Sequence, residues 1–351
     1  MKMPSILPSV APRVVNANGG GTTSPREDTA LNQHVDHGTA SALARRISLF
    51  FQRNEVKIAG IQTARLNRLN RLSRKPVTSP QSSVIVSVTS YGNRLRTVHL
   101  TLESIANGTV LPSRLILWVD TEEAFTNPSP QLRRLIERGL EFRLSRNYGP
   151  HTKYYPYLLA TESFACPLVT ADDDQLYPKW WLEGLLRSYR HDPASISCYR
   201  AHRVEMANDA MAPYRSWKPC CSVTPSYLHF ATGVSGVLYP PSFLAHLKGA
   251  GSEFLALCLK EDDVWLHAQA LRAGMPIRQV YNRPLRFPAI PGSQSSGLFH
   301  ANVLLAQNDR QIGLTYHSSD LAVLRDCAAS APHLFSSTPV NAAQSRMRGT
   351  P

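Results

Sequence analysis

Short runs of β-branched and other apolar residues alternate with segments of helical spacing through the middle of the chain, and most of these runs stop at a polar or acidic loop. Val84 to Val88 leads into Thr89-Ser90-Tyr91-Gly92-Asn93, and Leu115 to Val119 closes on Asp120. Between them Val98, Leu102 and Ile105 have the spacing of a helix over 97–107. Strand, helix, strand is a βαβ unit. The pattern predicts a helix over 130–139, a strand over 141–144, a helix over 155–162, and a strand over 167–170 running into Ala171-Asp172-Asp173-Asp174. Pro178 suits the first turn of a helix reaching Tyr189. Such alternation predicts an α/β fold whose mostly parallel sheet is covered by helices on both faces, with ligands at the carboxyl ends of its strands.

The 351 residues are enough for one large α/β domain or two ordinary ones, and 43% hydrophobic against 18% charged residues excludes a chain disordered throughout. The formal charge of +13 is concentrated in one place. Residues 42–75 hold nine basic groups against Glu55, whereas residues 76–351 hold 26 basic against 21 acidic groups. That second excess is too small to mark the body of the protein as a nucleic-acid binder. Six cysteines with no Cys-x-x-Cys pair indicate neither a zinc site nor a disulfide framework, so a reducing, cytoplasmic location is expected. Pro4, Pro8, Pro12 and Arg13 interrupt the apolar residues of the N-terminus, and no signal peptide is expected there. No run of about 18 apolar residues occurs, so no membrane span is expected.

Five regions are expected along the chain. Residues 1–40, rich in Pro, Gly, Ser, Thr and Asn, read as a disordered leader. Residues 41–75 read as a basic amphipathic helical segment, with Ile58, Leu66, Leu69 and Leu72 on one sector and Arg68, Arg71 and Arg74 on the other. This segment suits peripheral contact with an anionic membrane surface; a solvated helix resting on the domain is the plainer reading. A linker over 76–83, a catalytic body over 84–320 and a tail over 321–351 follow.

Two acidic clusters carry the chemistry. Asp172, Asp173 and Asp174 follow a buried strand, where mutual repulsion needs a cation or hydrogen-bond donors to offset it. Carboxylates suit Mg²⁺ or Mn²⁺, and Mg²⁺ binds through one or two of them while phosphate oxygens and water complete its shell. A solvated acidic loop ahead of a helix is the alternative. Glu261-Asp262-Asp263 precedes Val264-Trp265 and a helix running to Gly274; acids there favour the helix dipole, and one of them near a bound diphosphate could serve as a general base. Between the clusters, Gly233, Ser235 and Gly236 form a glycine loop that either approaches a ligand or simply turns the chain into the strand over 237–239.

The joint order of these pieces, strand-Thr-Ser-Tyr, strand-Asp, Thr-Ala-Asp-Asp-Asp, glycine loop and Glu-Asp-Asp-x-Trp, resembles the nucleotide-sugar glycosyltransferases of the GT-A fold, of the broad family 2 type, over about residues 84–285. The resemblance implies a Rossmann-like sheet and a nucleotide-sugar donor. It implies that Thr89 and Tyr91 lie beside the nucleotide base, that Asp120 contacts the base, and that Lys153 faces the nucleotide. It further implies that Asp172 and Asp174 are the outer members of an Asp-x-Asp motif, Asp172 near the ribose and Asp174 on Mn²⁺ or Mg²⁺, with Asp173 able to exchange roles with either. Asp262 is then the first choice for the base and Asp263 the second. The acceptor would be a hydroxyl of a glycan or of a lipid-linked sugar, and the reaction would invert the linkage.

Other residues are read as packing or left open. Trp180 and Trp181 suit core packing better than a sugar platform. His300 and His317 are candidate late metal ligands, although a lone histidine is more often structural. Tyr199-Arg200-Ala201-His202-Arg203 could meet acceptor or phosphate, or form interior ion pairs. Two rivals to glycosyl transfer are a nucleotidyltransferase and a scaffold that keeps the fold. The first needs a glycine- and lysine-rich triphosphate loop after the first strand, of which residues 89–96 are a poor version; the paired acidic clusters argue against the second.

Overall fold

The computed structural model describes residues 56–293 and 307–330, all within one compact unit. The expected leader over 1–40, residues 41–55 of the basic segment, His300, and the tail beyond 330 lie outside the described residues.

The apolar runs form a seven-stranded sheet. In chain order its strands are β1 (Ile85–Thr89), β2 (Arg114–Val119), β3 (Leu140–Leu144), β4 (Leu168–Ala171), β5 (Ile196–Cys198), β11 (Val237–Tyr239) and β12 (Ile277–Gln279). They lie side by side as β12-β5-β11-β4-β1-β2-β3. All neighbours are parallel except β11, which runs antiparallel between β4 and β5. This is the mixed α/β, mostly parallel, Rossmann-like sheet that the alternation predicts. Between β5 and β11 the chain adds β6 (Ala201–Arg203), β7 (Met206–Ala207), β8 (Ala210–Met211), β9 (Lys218–Pro219) and β10 (His229–Ala231). Strands β10, β6 and β9 form a separate antiparallel sheet, and β7 pairs with β8.

Strands β1, β2, β4, β5 and β11 bury both faces, which is why their runs are apolar without alternation, whereas the edge strand β3 is largely half-buried or exposed. Val86, Val88, Leu115, Leu117 and Val119 belong to one core with Val98, Leu102 and Ile105 of helix α2 (Val98–Ala106), Leu132 and Leu135 of α4 (Pro130–Ile136), and Trp181, Leu182 and Leu185 of α6 (Trp181–His191). Ile85, Ile116, Trp118 and Leu168 point into the other core, with α5 (Tyr155–Leu159), α7 (Pro241–Ala250) and α9 (Asp262–Arg272). Short helices α3 (Glu122–Thr126) and α8 (Phe254–Leu257) complete the surround. Two further helices, α10 (Gln307–Thr315) and α11 (Ser318–Ala329), pack on α9, where Arg272 meets Asp320 at 2.8 Å. The expected boundary between body and tail falls within α11.

Residues 56–72 are helical and form α1. The predicted apolar sector needs correction. Ala59, Leu66 and Asn70 are the buried face, while Ile58 and Leu72 are exposed. The cause is polar docking: Asn70 Nδ2 donates to Glu103 Oε1 at 2.9 Å and to the Gln131 carbonyl at 3.1 Å, and Arg134 Nε donates to Asn70 Oδ1 at 3.1 Å. Arg138 pairs with the same Glu103 carboxylate at 2.5 Å. The Asn70 amide and the Glu103–Arg138 ion pair satisfy one another at this contact, and such a buried polar network fixes the roll of the helix. The expected linker is also held down, since Val77 is fully buried and its N–H donates to the Arg138 carbonyl.

Candidate active site

Parallel strands β4 and β1 end side by side, and the antiparallel β11 begins at the same edge, with Val237 opposite Thr170. The aspartate loop after β4, the first-strand loop after β1 and the glycine loop before β11 therefore meet at one end of the sheet. The aspartate loop is wired to α2. The Thr101 hydroxyl lies 2.9 Å from the carbonyls of both Asp173 and Gln175, Tyr177 N–H donates to Ser104 Oγ at 3.0 Å, and Asp172 N–H donates to the Tyr177 hydroxyl at 3.0 Å.

Two cations divide the carboxylates between them. Lys153, at the end of a 3-10 turn over Gly149–Lys153, lies 2.8 Å from Asp172 Oδ1 and 3.3 Å from Asp262 Oδ2. The two acidic clusters thus converge on one ammonium group. Burial works against the charge of Lys153, but Asp172, Asp262 and Asp263 outweigh it and hold its pKa well above the ordinary lysine value. Arg94 sits 2.5 Å from Asp173 and 3.3 Å from Asp174. Ser90 Oγ donates to Asp173 Oδ2 at 2.6 Å, and Gln175 Nε2 donates to Asp174 Oδ1 at 3.0 Å.

The carboxyls differ in environment. Burial raises the pKa of Asp173 despite Arg94 and Ser90; burial and the charge of Asp172 raise that of Asp174. Asp263 is held well above the usual carboxylate range by burial and by the neighbouring Asp262, with Lys153 opposing. Its Oδ1 accepts the Gly233 N–H at 3.0 Å. A Cβ on Gly233 would stand 3.2 Å from that oxygen and 3.4 Å from Lys153 Nζ, so a glycine keeps this approach open.

Other predicted residues fall in different places. Gly236 has φ +94°, and a Cβ there would stand 2.7 Å from the Trp181 ring. Ser235 is fully buried, its hydroxyl donating to the Leu285 carbonyl at 2.7 Å, and its own carbonyl accepts from Trp181 Nε1 at 2.9 Å. Of the three loop residues, then, Gly233 faces the carboxylates and the other two seat Trp181. Tyr91 is 42% exposed at the rim, beneath the Arg94 guanidinium. Thr89 Oγ1 leans on the Trp118 carbonyl at 3.4 Å. Asp120, after β2, accepts from Asn147 at 2.7 Å and takes no part in the cation bridges. His317 caps α11, its N–H donating to Asp320 at 2.8 Å.

Sequence reasoning misses Arg94 as a site residue. The available signal is a cation a few positions past the first strand, in a fold that gathers strand-end loops. It also misses His151, which is fully buried behind Lys153: Nε2–H donates to the Cys258 carbonyl at 2.7 Å, Nδ1 accepts from the Tyr154 hydroxyl at 2.7 Å, and the ring stacks on Phe254. Burial lowers its pKa to about 4, so it is neutral and fixes the turn that presents Lys153.

Among the described residues no group of three His, Cys, Asp or Glu side chains forms a metal cage. An open site of one or two carboxylates is a different arrangement: the Asp172 side chain, paired with Lys153, is 23% exposed, and Asp174, paired with Arg94, is more enclosed.

The fold and site define a Rossmann-like α/β protein with an acidic, cation-bridged cluster at one end of its sheet. Compared with protein-family models and with curated proteins, the sequence matches none. Among solved structures it is similar to CMP:2-keto-3-deoxy-manno-octonic acid synthetase complexed with CTP, with a TM-score of 0.40 and 13% identity over 65% of this chain and 100% of that one.

Proposed function

We propose that the protein is a metal-dependent glycosyltransferase of the GT-A type, moving a sugar from a nucleoside diphosphate donor to a hydroxyl of a glycan or lipid-linked acceptor. The observation that carries this reading is the shared Lys153 ammonium, which joins Asp172 of the strand-end cluster to Asp262 at the start of α9.

In this reading Asp172 and Asp174 would hold Mn²⁺ or Mg²⁺, which would offset negative charge on the departing diphosphate. Lys153 stays protonated and adds a second positive charge on the same side. The contacts of Asp262 and Asp263 favour Asp263 as the base: Asp262 is tied to Lys153, whereas Asp263 accepts a neutral backbone N–H from Gly233. Asp263 takes the acceptor hydroxyl proton as that oxygen bonds to the anomeric carbon. The bond from that carbon to the phosphate oxygen breaks, and the nucleoside diphosphate leaves with the electron pair. One displacement inverts the linkage. Tyr91 and Asp120, at the rim, suit contacts with the nucleoside.

Arg94 bears on the nucleotidyltransferase alternative. A triphosphate loop needs free cations after the first strand; of the two in that loop, Arg94 folds back on Asp173 and Asp174, while Arg96 is exposed. The test is incubation with a panel of nucleotide sugars and Mn²⁺, comparing wild type with Asp174→Ala. Release of nucleoside diphosphate that the substitution abolishes is the expected result; pyrophosphate released from a nucleoside triphosphate would favour nucleotidyl transfer, and no nucleotide binding at all would favour a scaffold.

The same reading includes a peripheral contact with an anionic membrane through α1. Its outward face carries Ile58, Ile61 and Leu72, 50%, 71% and 66% exposed, among Lys57, Arg65 and Arg68, and residues 56–75 contain no acid. Among the described residues no helix is long and apolar enough to cross a membrane.

A further inference from the structure

Next to Asp263 lies a group of positive charge that the proposed chemistry does not use. Arg200 precedes β6 and Thr232 follows β10, and the two are held together by the ladder: Thr232 N–H donates to the Arg200 carbonyl at 2.9 Å. The Arg200 side chain returns the contact, with Nη1 donating to Thr232 Oγ1 at 2.7 Å. Thr232 is joined to Gly233, whose N–H is on Asp263, so the guanidinium stands one residue from the candidate base.

Arg200 Nη2 lies 3.0 Å from His202 Nε2. A guanidinium only donates, so Nε2 accepts and the histidine proton sits on Nδ1. That Nδ1 is buried and has no partner among the described residues. Burial, Arg200 and Arg286 lower the His202 pKa to about 4, which keeps the ring neutral in this tautomer. The ring stacks on Tyr214, with centroids 5.7 Å apart. Arg286 is brought alongside by the backbone, because Leu285 N–H donates to the Tyr199 carbonyl at 2.9 Å.

Neither Arg200 nor Arg286 pairs with a carboxylate among the described residues. The interior ion pairs that the sequence allows for Arg200 are absent from these contacts. Two neighbouring arginines repel, and partial burial adds to the cost; burial and Arg286 lower the pKa of Arg200. An oxyanion would offset both charges and take the unused donors.

Resting on the glycosyltransferase reading, we propose that Arg200, Arg286 and His202 form an anion subsite on the acceptor side of Asp263, one that selects acceptors bearing a phosphate or carboxylate near the reacting hydroxyl. The donor's diphosphate is the competing source of an oxyanion, but its cations are Lys153 and the metal held by Asp172 and Asp174. Arg200 adjoins Asp263, which faces the incoming hydroxyl. Tyr214 beside His202 gives the acceptor ring an aromatic wall.

The experiment is calorimetric titration of the full chain with a hexose phosphate, a hexuronate, the matching uncharged hexose and, separately, a nucleoside diphosphate with Mn²⁺. Wild type should bind at least one anionic sugar ten or more times more tightly than the neutral one, and which one does so tells phosphate from carboxylate. Arg200→Gln and Arg286→Gln should each weaken that binding about tenfold, with nucleoside diphosphate affinity unchanged within twofold. Arg286 is exposed, so its variant remains a fair test should Arg200→Gln misfold. Equal binding of charged and neutral sugars by the wild type overturns the proposal, and so does an equal loss of nucleoside diphosphate affinity in both variants. Absence of nucleoside diphosphate binding in a wild type that still takes the anionic sugar would instead remove the glycosyltransferase reading.

Discussion

Asp172, in the loop after β4, and Asp262, the first residue of α9, face the same ammonium group: Lys153 Nζ is 2.8 Å from the first and 3.3 Å from the second. Lys153→Met keeps the apolar stem and removes the charge, leaving two enclosed carboxylates opposed. Breaking a buried ion pair in this way costs about 3–5 kcal/mol. Urea denaturation should show that loss, with the midpoint partly recovered in Lys153→Arg. An unchanged midpoint would mean that the bridge is not closed in solution.

Asp263 and Asp262 should separate kinetically. Asp263→Asn is expected to lower kcat by about 10²–10⁴ while nucleoside diphosphate affinity stays within twofold. Asp262→Asn, which takes from Lys153 one of its two carboxylate partners, should act mainly on stability and donor affinity. The base works deprotonated, so kcat should rise with pH through the Asp263 pKa, and because that pKa is raised, the acidic limb should lie above the usual carboxylate range. A limb near pH 4 would contradict this assignment.

Buried neutral histidines predict acid sensitivity, His151 and His267 most clearly because they are the most enclosed. Burial lowers the pKa of His151 and of His267 to about 4, from an unfolded value of 6.5. Between those values the unfolded chain binds more protons, so stability is fully present above pH 6.5 and is lost as the pH falls toward 4, on the order of 3 kcal/mol for each histidine. Asp173, Asp174 and Asp263, with raised pKa values, act in the opposite sense, their contribution fading as pH rises. The histidine share is therefore read as a difference: the drop in unfolding free energy from pH 7.5 to pH 5 should be smaller in His267→Gln than in wild type.

The outward face of α1 gives a binding prediction. Wild type should sediment with vesicles containing anionic lipid, less so as salt rises, each Lys or Arg at the surface adding about 1 kcal/mol. Ile61→Ser and Arg68→Glu should weaken that association without lowering the unfolding midpoint, since both side chains point away from Asn70 and Leu66. Equal sedimentation of all three proteins would remove the membrane contact.

The central strands were legible because Val84 to Val88 and Leu115 to Val119 are apolar on both faces, a pattern that buried parallel strands share. The roll of α1 was not, because Asn70 and its bonds to Glu103 and Gln131 decide it, and hydrophobic spacing has no weight for a buried amide. The predicted helix over 130–139 stops at Ile136, and Gly139 with φ +102° turns the chain into β3. Strands β6, β9 and β10 are two or three residues long, too short for a period to register. In the site, the aspartates were visible as a cluster, but the pairing of Arg94 with Asp173 joins residues far apart in sequence, and the inward turn of Ser235 and Gly236 depends on the Trp181 ring.

The most direct measurement is a two-part assay on wild type, Asp172→Asn and Asp263→Asn: titration of a nucleoside diphosphate with Mn²⁺, and sugar transfer from the matching donor. If one cleft holds both acidic clusters, wild type binds and transfers, Asp172→Asn loses both by tenfold or more, and Asp263→Asn binds normally but does not transfer. Nucleotide binding that is indifferent to Asp172, or transfer that survives loss of the Asp263 carboxylate, would contradict the account.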